Sequence, residues 1–445
     1  MPPSYEELRG QLAELISIPS VSADPAHAPD IERAADWVAE SIRAAGGEAE
    51  LVRKDGGRPL VIGEVAASSG AATAPDVIAY AHFDVQPPDP LDLWDSPPYE
   101  LAERDGWLYA RGVADDKAQL IMLIEAARQL AEAGELPVNV RFALDPEEES
   151  GGQAVIKWVE EDERGAAAAI VFDGDMLDPR TPTFNTALRG MCYFHVTART
   201  GERDLHSGLF GGVALNAMHA LMQALSAVTA KDGVVPEPLR VGVEPPAAEE
   251  HEGWSSLQDG ASLLGEVGAR PSDGGALAEY YTRTWALPSV DVHGIAGGSP
   301  DLVKTVLPVE ARANVSIRIA PGQNVKDVSA AFEKLLRDAA PEGTELTVDL
   351  VSSGEPGVVP ADAQALALAR EAFESVFGGP SRLIRVGGSV PVVASLVGRG
   401  IPTISTGIAT SDANAHSPNE KFPAGHLMLG IDAIRETYRR LGELG

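Results

Sequence analysis

Residues 77–86 read VIAYAHFDVQ, an apolar run followed at once by a histidine and, two residues later, an aspartate. A short apolar run that ends at polar residues predicts a buried strand. Similar runs occur at residues 138–144, 168–172 and 402–406, and helical stretches follow Asp115, Gly152 and Pro423. Buried strands that alternate with helices in this way predict an α/β fold with a layered sheet.

Two amphipathic helices are predicted ahead of the first strand, one ending before Pro19 and one running from Pro29 to about Ala45. A segment of different character lies at about residues 188–355. We expect it to be an inserted α+β domain, with strands at 192–197 and 313–319, helices at 213–228 and 325–337, and a Pro/Glu-rich exposed loop at 235–253. The predicted division is therefore 1–187 and 356–445 for one domain and 188–355 for the insertion.

Composition narrows the possible partners and ligands. The chain has 445 residues, 44% of them hydrophobic, which is ample for sizeable cores in two or three domains. Its formal net charge of −31 repels phosphate groups, so we expect neither nucleic acid nor a membrane as a partner. Cys192 is the single cysteine, which excludes an intrachain disulfide and a cysteine-ligated zinc site. With neither a long apolar run nor a signal-peptide pattern, we expect a cytoplasmic protein.

Acidic residues and histidines gather at the ends of the predicted strands. His82 and Asp84 follow the first strand, the run DPEEE (145–149) follows the second, Asp173 the third, and His416 lies in the loop beyond the fourth. The pair Asp115-Asp116 directly precedes a helix. Ligands of open α/β sheets bind at the carboxyl ends of the strands, so we expect these side chains to share one cleft.

Each of these signals has a simpler explanation when it is taken alone. A His-x-Asp sequence is usually a surface or hydrogen-bonded histidine, an aspartate before a helix can cap it, and a glutamate run is typically a solvated face. The coincidence of all five at strand ends or at a helix start favours a metal site. Histidine and carboxylate ligands suit zinc, cobalt or manganese.

Five segments carry a family resemblance: AHFDVQP (81–87), WDSPPYE (94–100), GWLYARGVADDKAQ (106–119), EEESGG (147–152) and AHSPNEKF (415–422). In this order they resemble the motifs of the co-catalytic metallopeptidases of the carnosine dipeptidase, glutamate carboxypeptidase, acetylornithine deacetylase and succinyl-diaminopimelate desuccinylase type. The resemblance extends from about residue 16 to the C-terminus. It implies a mixed-sheet, zinc-peptidase-like catalytic domain with an inserted lid and dimerisation domain.

The resemblance also implies a set of metal ligands. His82 and Asp173 would hold one ion, Glu149 and His416 the other, and Asp116 would bridge two ions about 3.5–4 Å apart. Zinc is expected, with manganese or cobalt as alternatives. Asp84 would orient His82 by accepting its second ring N–H. The peptide between Asp115 and Asp116 is commonly cis in this family.

The resemblance also predicts the catalytic base through the register of the acidic run. The family pattern of two acids followed by Ser-Gly aligns with Glu148-Glu149-Ser150-Gly151, which implies that Glu148 is the general base and Glu149 a ligand. By the same resemblance, Glu148 would take a proton from a metal-bridging water and pass it to the leaving nitrogen.

The insertion resembles the substrate-binding lid of the dipeptidases. His206, in DLHSGLFGG, would bind the tetrahedral oxyanion, and in such enzymes it comes from the partner subunit, which implies a homodimer. Thr305 and Arg318 would bind substrate, and Gly388 with Ser389 would hold its C-terminal carboxylate. A Gly-rich turn around His206 and a surface ion pair at Arg318 are the simpler explanations of those two residues.

Three functional classes are compatible with this pattern. The segments around VQP, HSG, KTVLP and GGSVP resemble the dipeptidase branch, which predicts a dipeptidase or carboxypeptidase-type protease acting on small peptides with a free C-terminal carboxylate. An N-acyl-amino-acid amidohydrolase of the deacetylase or desuccinylase type would use the same metals. A binding or regulatory protein would have lost a ligand or the base, whereas every matched position is present here.

Overall fold

The computed structural model describes residues 3–299, 301–388 and 390–444. The chain forms two compact units, the first made of Met1–Thr186, Val359–Leu383 and Ser395–Gly445 and the second of Ala187–Val358 and Ile384–Ala394. The predicted insertion, 188–355, has nearly the same borders as the main part of the second unit. The second unit also includes residues 384–394, which the sequence prediction had assigned to the other domain.

The α-helices of the described residues are α1 Tyr5–Ile16, α2 Ala28–Ala44, α3 Lys117–Ala133, α4 Ala154–Glu161, α5 Ser207–Phe210, α6 Ala217–Ser226, α7 Ala248–Trp254, α8 Gly260–Glu266, α9 Val325–Ala339, α10 Gln364–Phe377, α11 Pro391–Gly398 and α12 His426–Leu441.

The strands of the same residues are β1 Glu48–Val52, β2 Leu60–Val65, β3 Asp76–His82, β4 Ala102–Arg104, β5 Trp107–Tyr109, β6 Asn139–Asp145, β7 Ala168–Phe172, β8 Asp175–Met176, β9 Thr183–Leu188, β10 Gly190–Arg199, β11 Leu205–His206, β12 Ser289–Ala296, β13 Val306–Leu307, β14 Glu310–Ile319, β15 Glu345–Gly354, β16 Gly357–Val358, β17 Arg382–Val386, β18 Thr403–Thr406, β19 Ala409–Thr410 and β20 Lys421–Pro423.

The first unit is built on a mixed sheet with the order β1-β2-β6-β3-β7-β18-β9, and β16 and β17 also pair with β9. β6, β3, β7 and β18 are mutually parallel, whereas β1, β2 and β9 join antiparallel. Every residue of β6, β7 and β18 is buried, as expected for central strands covered on both faces. The predicted α/β class and the four predicted strands are confirmed.

The predicted N-terminal helix shows how local sequence sets an element. Ser4 and Glu7 form a capping box at the start of α1, in which the Ser4 hydroxyl accepts the Glu7 backbone N–H. Leu8, Leu12 and Leu15 recur at helical spacing and are fully buried. The helix ends at Ile16, before the predicted limit at Pro19.

The second unit has an antiparallel sheet with the order β12-β14-β10-β15. One face carries the core, where α6 and α9 pack on alternate residues of β10 and β14, and the rings of Phe194 and Phe332 lie 4.6 Å apart. Cys192 is fully buried in this core, which agrees with its interpretation as a small core residue. None of the helices in the described ranges combines the length and apolarity needed to cross a bilayer.

One element of the second unit was predicted wrongly. The Pro/Glu-rich stretch 235–253 is not simply an exposed loop, because it contains most of α7 and buries Leu239 and Glu250. The Glu250 carboxylate accepts two hydrogen bonds from the Arg385 guanidinium, at 2.7 and 2.9 Å. The partner lies 135 residues away in the chain, so local composition carried no sign of this burial.

Candidate metal centre

The parallel strands of the first unit bring the predicted polar residues to one edge of the sheet. His82 ends β3 directly opposite Asp145, which ends β6, and Asp173 follows the last residue of the neighbouring strand β7. The three side chains lie far apart in sequence but end at the same edge of the sheet, because parallel strands share their carboxyl edge. The expectation that strand-end residues would meet is confirmed.

A first group of possible ligands consists of His82, Asp116 and Asp173, each of which offers an atom within 4.8 Å of the others. His82 Nε2 lies 3.8 Å from Asp173 Oδ1, and the His82 backbone N–H donates to Asp116 Oδ2 at 3.1 Å. Asp116 Oδ1 is buried without a hydrogen-bond partner. Asp116 precedes α3 without capping it through its side chain, so the simpler explanation of this residue is ruled out.

A second group consists of Asp115, Glu149 and His416. His416 Nε2 lies 2.9 Å from Asp115 Oδ2 and 3.1 Å from Glu149 Oε2. His416 has a φ of 62°, and Asn414 and Asn419 on either side also have positive φ values. Non-glycine residues rarely adopt this left-handed conformation, so the loop is held in an uncommon shape where it delivers the histidine.

Asp115 is the residue that connects the two groups. Its Oδ1 lies 2.9 Å from His82 Nε2, and its Oδ2 lies 2.9 Å from His416 Nε2. This is the arrangement expected of a bridging carboxylate, a role that the sequence prediction had given to Asp116. Asp116 belongs only to the His82 group. The Asp115-Asp116 peptide is cis, as the resemblance implied.

The mutual proximity of these groups perturbs their protonation. Burial lowers the pKa of His82, but the Asp173 and Asp115 carboxylates outweigh burial and raise that pKa well above its ordinary value. Hydrogen bonds to Asp115 and Glu149 raise the pKa of His416 to about 10. Burial and the nearby Asp173 carboxylate raise the pKa of Asp116. The two groups thus contain more carboxylates than imidazoles at short distances from one another, which leaves the cluster with an excess of negative charge.

Asp84 connects His82 to the turn that carries Glu148 and Glu149. Its two carboxylate oxygens accept the backbone N–H groups of Glu148 and Glu149, each at 3.1 Å. Its backbone carbonyl lies 3.1 Å from His82 Nδ1, and its Oδ1 lies 3.3 Å from the same nitrogen. The predicted contact with the second ring nitrogen of His82 is present, and Asp84 additionally fixes the turn that carries both glutamates.

The acidic run separates into residues with different tasks. Glu147 Oε1 accepts the Gln153 and Ala154 backbone N–H groups at the start of α4, and Asp145 Oδ1 accepts the Glu147 N–H. Glu148 instead is partly buried near the ligand cluster, where it interacts electrostatically with His82, Asp173 and Asp115. Burial, followed by the Asp173 and Asp115 carboxylates and only partly offset by His82, raises the pKa of Glu148. A glutamate with a raised pKa near histidine and carboxylate ligands suits proton transfer.

Three residues that hold this centre together were not recognised in the sequence. Gln86 Nε2 donates to Glu149 Oε2 at 2.7 Å, and the Glu420 carboxylate binds the Arg111 guanidinium and the backbone that leads to Asp115. All three lie inside the motifs quoted above. Gln86 and Arg111 are not metal-ligand types, and no spacing rule connects Glu420 with a loop more than 300 residues earlier in the chain.

The residues present fit two divalent cations. Tetrahedral coordination at about 2.1 Å separates ligand atoms by roughly 3.4 Å, and the contacts from His82 and His416 to carboxylate oxygens span 2.9 to 3.8 Å. The unpaired, buried Asp116 Oδ1 lacks a partner that a cation would supply. Cations would also offset the excess of carboxylates over imidazoles.

Among the predicted substrate residues, His206 and Thr305 lie together in the second unit. His206 pairs with Val306 across β11 and β13, and the Ser207 N–H donates to the Thr305 carbonyl at 3.0 Å. The Gly208 N–H donates to His206 Nδ1 at 3.0 Å. Nδ1 is therefore the acceptor nitrogen, so in neutral His206 the proton is on Nε2, which leaves an N–H donor available on an exposed side chain.

Arg318 and Gly388 lie elsewhere in the same unit. Arg318 is half-buried on β14, and its neighbours Ile317 and Ile319 face the core, as the predicted alternation requires. The Arg189 guanidinium donates to the Gly387 carbonyl, and burial, followed by the nearby Arg318 charge, lowers the pKa of Arg189. Arg189 therefore lies near both the Arg318 side chain and the turn that contains Gly388. Ser389 lies outside the described residues.

Comparison with known proteins gives a consistent result. The model of peptidase family M20/M25/M40 matches residues 78–440. A cysteinylglycine-S-conjugate dipeptidase of Corynebacterium striatum is 28% identical over 94% of this chain and 92% of its own length. The human Beta-Ala-His dipeptidase is 27% identical over 87% of this chain and 78% of its own length. An M20 family metallo-carboxypeptidase of Sulfolobus solfataricus, 24% identical, has the same fold, with a TM-score of 0.84 over 98% of this chain and 99% of its own.

Proposed function

The chain belongs to peptidase family M20/M25/M40, and from that premise we propose that it is a metal-dependent dipeptidase. Its substrates would be dipeptides or short peptides with a free C-terminal carboxylate. The observation that carries the proposal is the position of Asp115, whose two oxygens each lie 2.9 Å from a histidine of a different ligand group. The partly buried Glu148 lies close enough to interact electrostatically with Asp115.

The proposed ligands are His82, Asp116 and Asp173 for one divalent ion and Glu149 and His416 for the other, with Asp115 in place of Asp116 as the bridge. Two such ions would lower the pKa of a water held between them and would polarise the scissile carbonyl. Zinc is the proposed metal, because imidazole and carboxylate ligands suit it, although manganese and cobalt fit the same donors.

Glu148 carries the proton transfers. Its carboxylate takes a proton from the attacking water, and the resulting carboxylic acid then donates that proton to the amide nitrogen as the C–N bond breaks. Burial and the Asp173 and Asp115 carboxylates raise the pKa of Glu148 toward neutral pH, and a carboxylate whose pKa lies closer to the operating pH is better suited to both steps. Asp84 holds this turn in place through the backbone N–H groups of Glu148 and Glu149.

The second unit supplies groups that recognise the substrate. The Nε2–H of His206 would donate to the oxyanion of the tetrahedral intermediate, a contribution of about 3–4 kcal/mol to transition-state stabilisation. Thr305 would bind near it. The Arg318 guanidinium matches a C-terminal carboxylate in charge and geometry, and Gly388 and Ser389 would complete that contact.

The names of the relatives favour dipeptides over N-acyl amino acids. The C. striatum relative is named as a cysteinylglycine-S-conjugate dipeptidase and the human relative as a Beta-Ala-His dipeptidase. Each of these substrates has a free amino group and a free carboxylate at its two ends. We therefore propose an unblocked dipeptide as the preferred substrate and retain the cytoplasm as the proposed location.

The substrate and metal proposals can be tested with one preparation. Purified enzyme should contain two divalent ions per chain by mass spectrometry and should hydrolyse Cys-Gly or β-Ala-His faster than N-acetyl or N-succinyl amino acids. Turnover restricted to the acylated compounds would establish the deacylase alternative. Tight peptide binding without turnover in the metal-loaded protein would establish a binding protein instead.

We also propose a homodimer that forms through the second unit. Apolar side chains in the two segments that contain His206 and Thr305 are exposed: Leu209 by 73%, Val213 by 84% and Val303 fully. Exposed apolar groups that cluster in this way mark interaction surfaces. A second copy of the chain would cover them and would bring His206 to the partner's metal centre, as the family resemblance implies.

Light scattering should report a dimer for the wild type and a monomer for Val213→Glu. Val267→Glu is the control, because Val267 is comparably exposed, at 75%, in the same unit.

Mixing two inactive variants, Glu148→Gln and His206→Ala, tests whether His206 acts in the partner subunit. Activity returns only if His206 acts across subunits, because the mixed dimer then has one complete site. A monomeric wild type, or mixed dimers without activity, would exclude the exchange.

A further inference from the structure

A single buried carboxylate, that of Glu420, binds four donors in the loop that leads to the metal ligands. Its Oε2 accepts the Arg111 guanidinium and the Gly112 backbone N–H, both at 2.8 Å. Its Oε1 accepts the backbone N–H groups of Ala114 at 2.8 Å and Asp115 at 3.1 Å. The side chain is fully buried, so these contacts occupy both oxygens away from water.

Pairing of two short strands brings Glu420 to this loop. β20 pairs antiparallel with β5, with Lys421 opposite Tyr109. The residue before β20 therefore lies opposite the residue after β5, and the Ala110 N–H donates to the Glu420 carbonyl at 3.2 Å. The register of one strand pair thereby joins the loop that ends in Asp115 to the loop that carries His416.

Arg111 balances the charge of this carboxylate and extends the connection. Its side chain is 1% exposed, its second guanidinium nitrogen donates to the Pro87 carbonyl at 3.3 Å, and the group lies over the Trp94 ring. Pro87 follows Gln86, which donates to Glu149. Glu420 and Arg111 thus connect the loops that carry Asp115, His416 and Gln86.

We propose that Glu420 is a positioning residue of the metal centre, whose carboxylate fixes the backbone of residues 112–115 so that Asp115 lies between the two histidines. This inference rests on the proposed function, because it assigns Glu420 to the placement of the proposed bridging ligand. Loss of the carboxylate would allow the 112–115 backbone to relax and would move Asp115 by a fraction of an ångström or more. Metal ligands tolerate such displacement poorly, and changes to groups that orient ligands typically cost about 10–100-fold in metal affinity.

The test compares metal binding by chelator-treated wild type, Glu420→Gln and a control. A glutamine at 420 can accept at only one of the two positions, since its amide nitrogen faces donors at the other. We expect Zn²⁺ or Co²⁺ to bind about 10–100-fold more weakly by calorimetry, a changed Co²⁺ absorption spectrum, and a lower kcat with little change in KM. Glu420→Asp keeps the charge but is one methylene shorter, so we expect it to fold and to show a smaller loss of affinity.

Asp162→Asn provides the matched control for a purely structural effect. Asp162 is a partly buried carboxylate of the first unit that binds an arginine, Arg141, at 2.7 Å and a backbone N–H, that of Gly165, at 3.0 Å. We expect it to lower the unfolding temperature without changing metal affinity or the Co²⁺ spectrum. Equal losses of affinity in Asp162→Asn and Glu420→Gln would overturn the inference, as would wild-type affinity and kcat in Glu420→Gln and Glu420→Asp. A wild type that does not bind two ions would instead refute the proposed function.

Discussion

The ligand cluster of the first unit and the His206 segment of the second unit differ in how far the chain itself completes them. His82 and Asp84 are fully buried and Glu149 is 4% exposed, and the polar atoms of these side chains bond mostly to one another or to nearby backbone. Around His206, Leu209 and Val213 are exposed by 73% and 84%. The first region is preorganised by its own residues, whereas the second presents a donor and apolar side chains to the solvent.

This difference has a physical origin. Most polar groups of the first region are buried and bonded to one another or to backbone, which restricts them to one arrangement. The exceptions, Asp116 Oδ1 and the exposed His416 ring, both belong to proposed metal ligands. The exposed segment gains little from its present surroundings and is suited to binding something else. Changes in the first region should therefore affect metal binding, protonation or stability as well as turnover, whereas loss of the His206 side chain should lower turnover without changing metal content or unfolding temperature.

The largest effect is expected from Glu148→Gln, which tests whether the ligand cluster can lose proton transfer and still bind its metals. Glutamine fills the same space but accepts no proton, so kcat should fall by about 10²–10⁴-fold with two metals still bound. Glu147→Gln is the control, because Glu147 caps α4 and the amide oxygen can still accept those N–H groups. Loss of both metals, or unaltered turnover, in Glu148→Gln would contradict the register assigned to the acidic run.

A somewhat smaller effect is expected from His206→Ala, which tests the exposed region. Removal of one oxyanion donor should lower kcat by roughly 10²–10³-fold. Metal content and unfolding temperature should not change, since the ring is exposed and its one hydrogen bond is local. His219→Ala, at an exposed position on α6 of the same unit, serves as the control. A loss of metal or a clear drop in unfolding temperature in His206→Ala would remove the contrast between the two regions.

The smallest effect is on stability and concerns Asp145, at the base of the buried cluster. Burial, followed by the Asp84 carboxylate, raises the pKa of Asp145 to about 7. In the unfolded chain this group ionises near pH 4, so between about pH 4 and 7 the folded state keeps a proton that the unfolded state releases. Folding stability therefore falls as pH rises through this window.

Asparagine does not titrate, so the free energy of unfolding of Asp145→Asn should lack this pH-dependent loss. Between about pH 5.5 and about pH 8 the wild type should lose roughly 2 kcal/mol more unfolding free energy than Asp145→Asn. Urea unfolding of EDTA-treated protein at both pH values measures this. Asp204→Asn is the exposed counterpart, where a carboxylate accepts the Val309 N–H in contact with water. Similar pH trends for the two variants would show that burial does not distinguish the regions.

Local sequence patterns predicted much of the fold. The four central strands and the helices α1, α2 and α3 agree with apolar runs and helical spacing, because burial of a face imposes a period that survives in sequence. The prediction of an exposed loop at 235–253 was wrong because the burial of this stretch depends on an ion pair between Glu250 and Arg385. The assignment of 384–394 to the first domain failed for a related reason, since the contacts of those residues are made with distant parts of the chain.

The sequence by itself determined the ligand types and the edge of the sheet where they meet, because strand ends and motif order are local properties. The resemblance to family motifs predicted Glu148 as the general base and Arg318 as a substrate-binding residue, and both roles stay predictions. Only the tertiary structure decided which aspartate of the Asp115-Asp116 pair lies between the histidines, and that Glu420 binds the loop beside it. Adjacent carboxylates are equivalent in sequence, and they become distinct only when contacts between residues more than 300 positions apart orient their side chains.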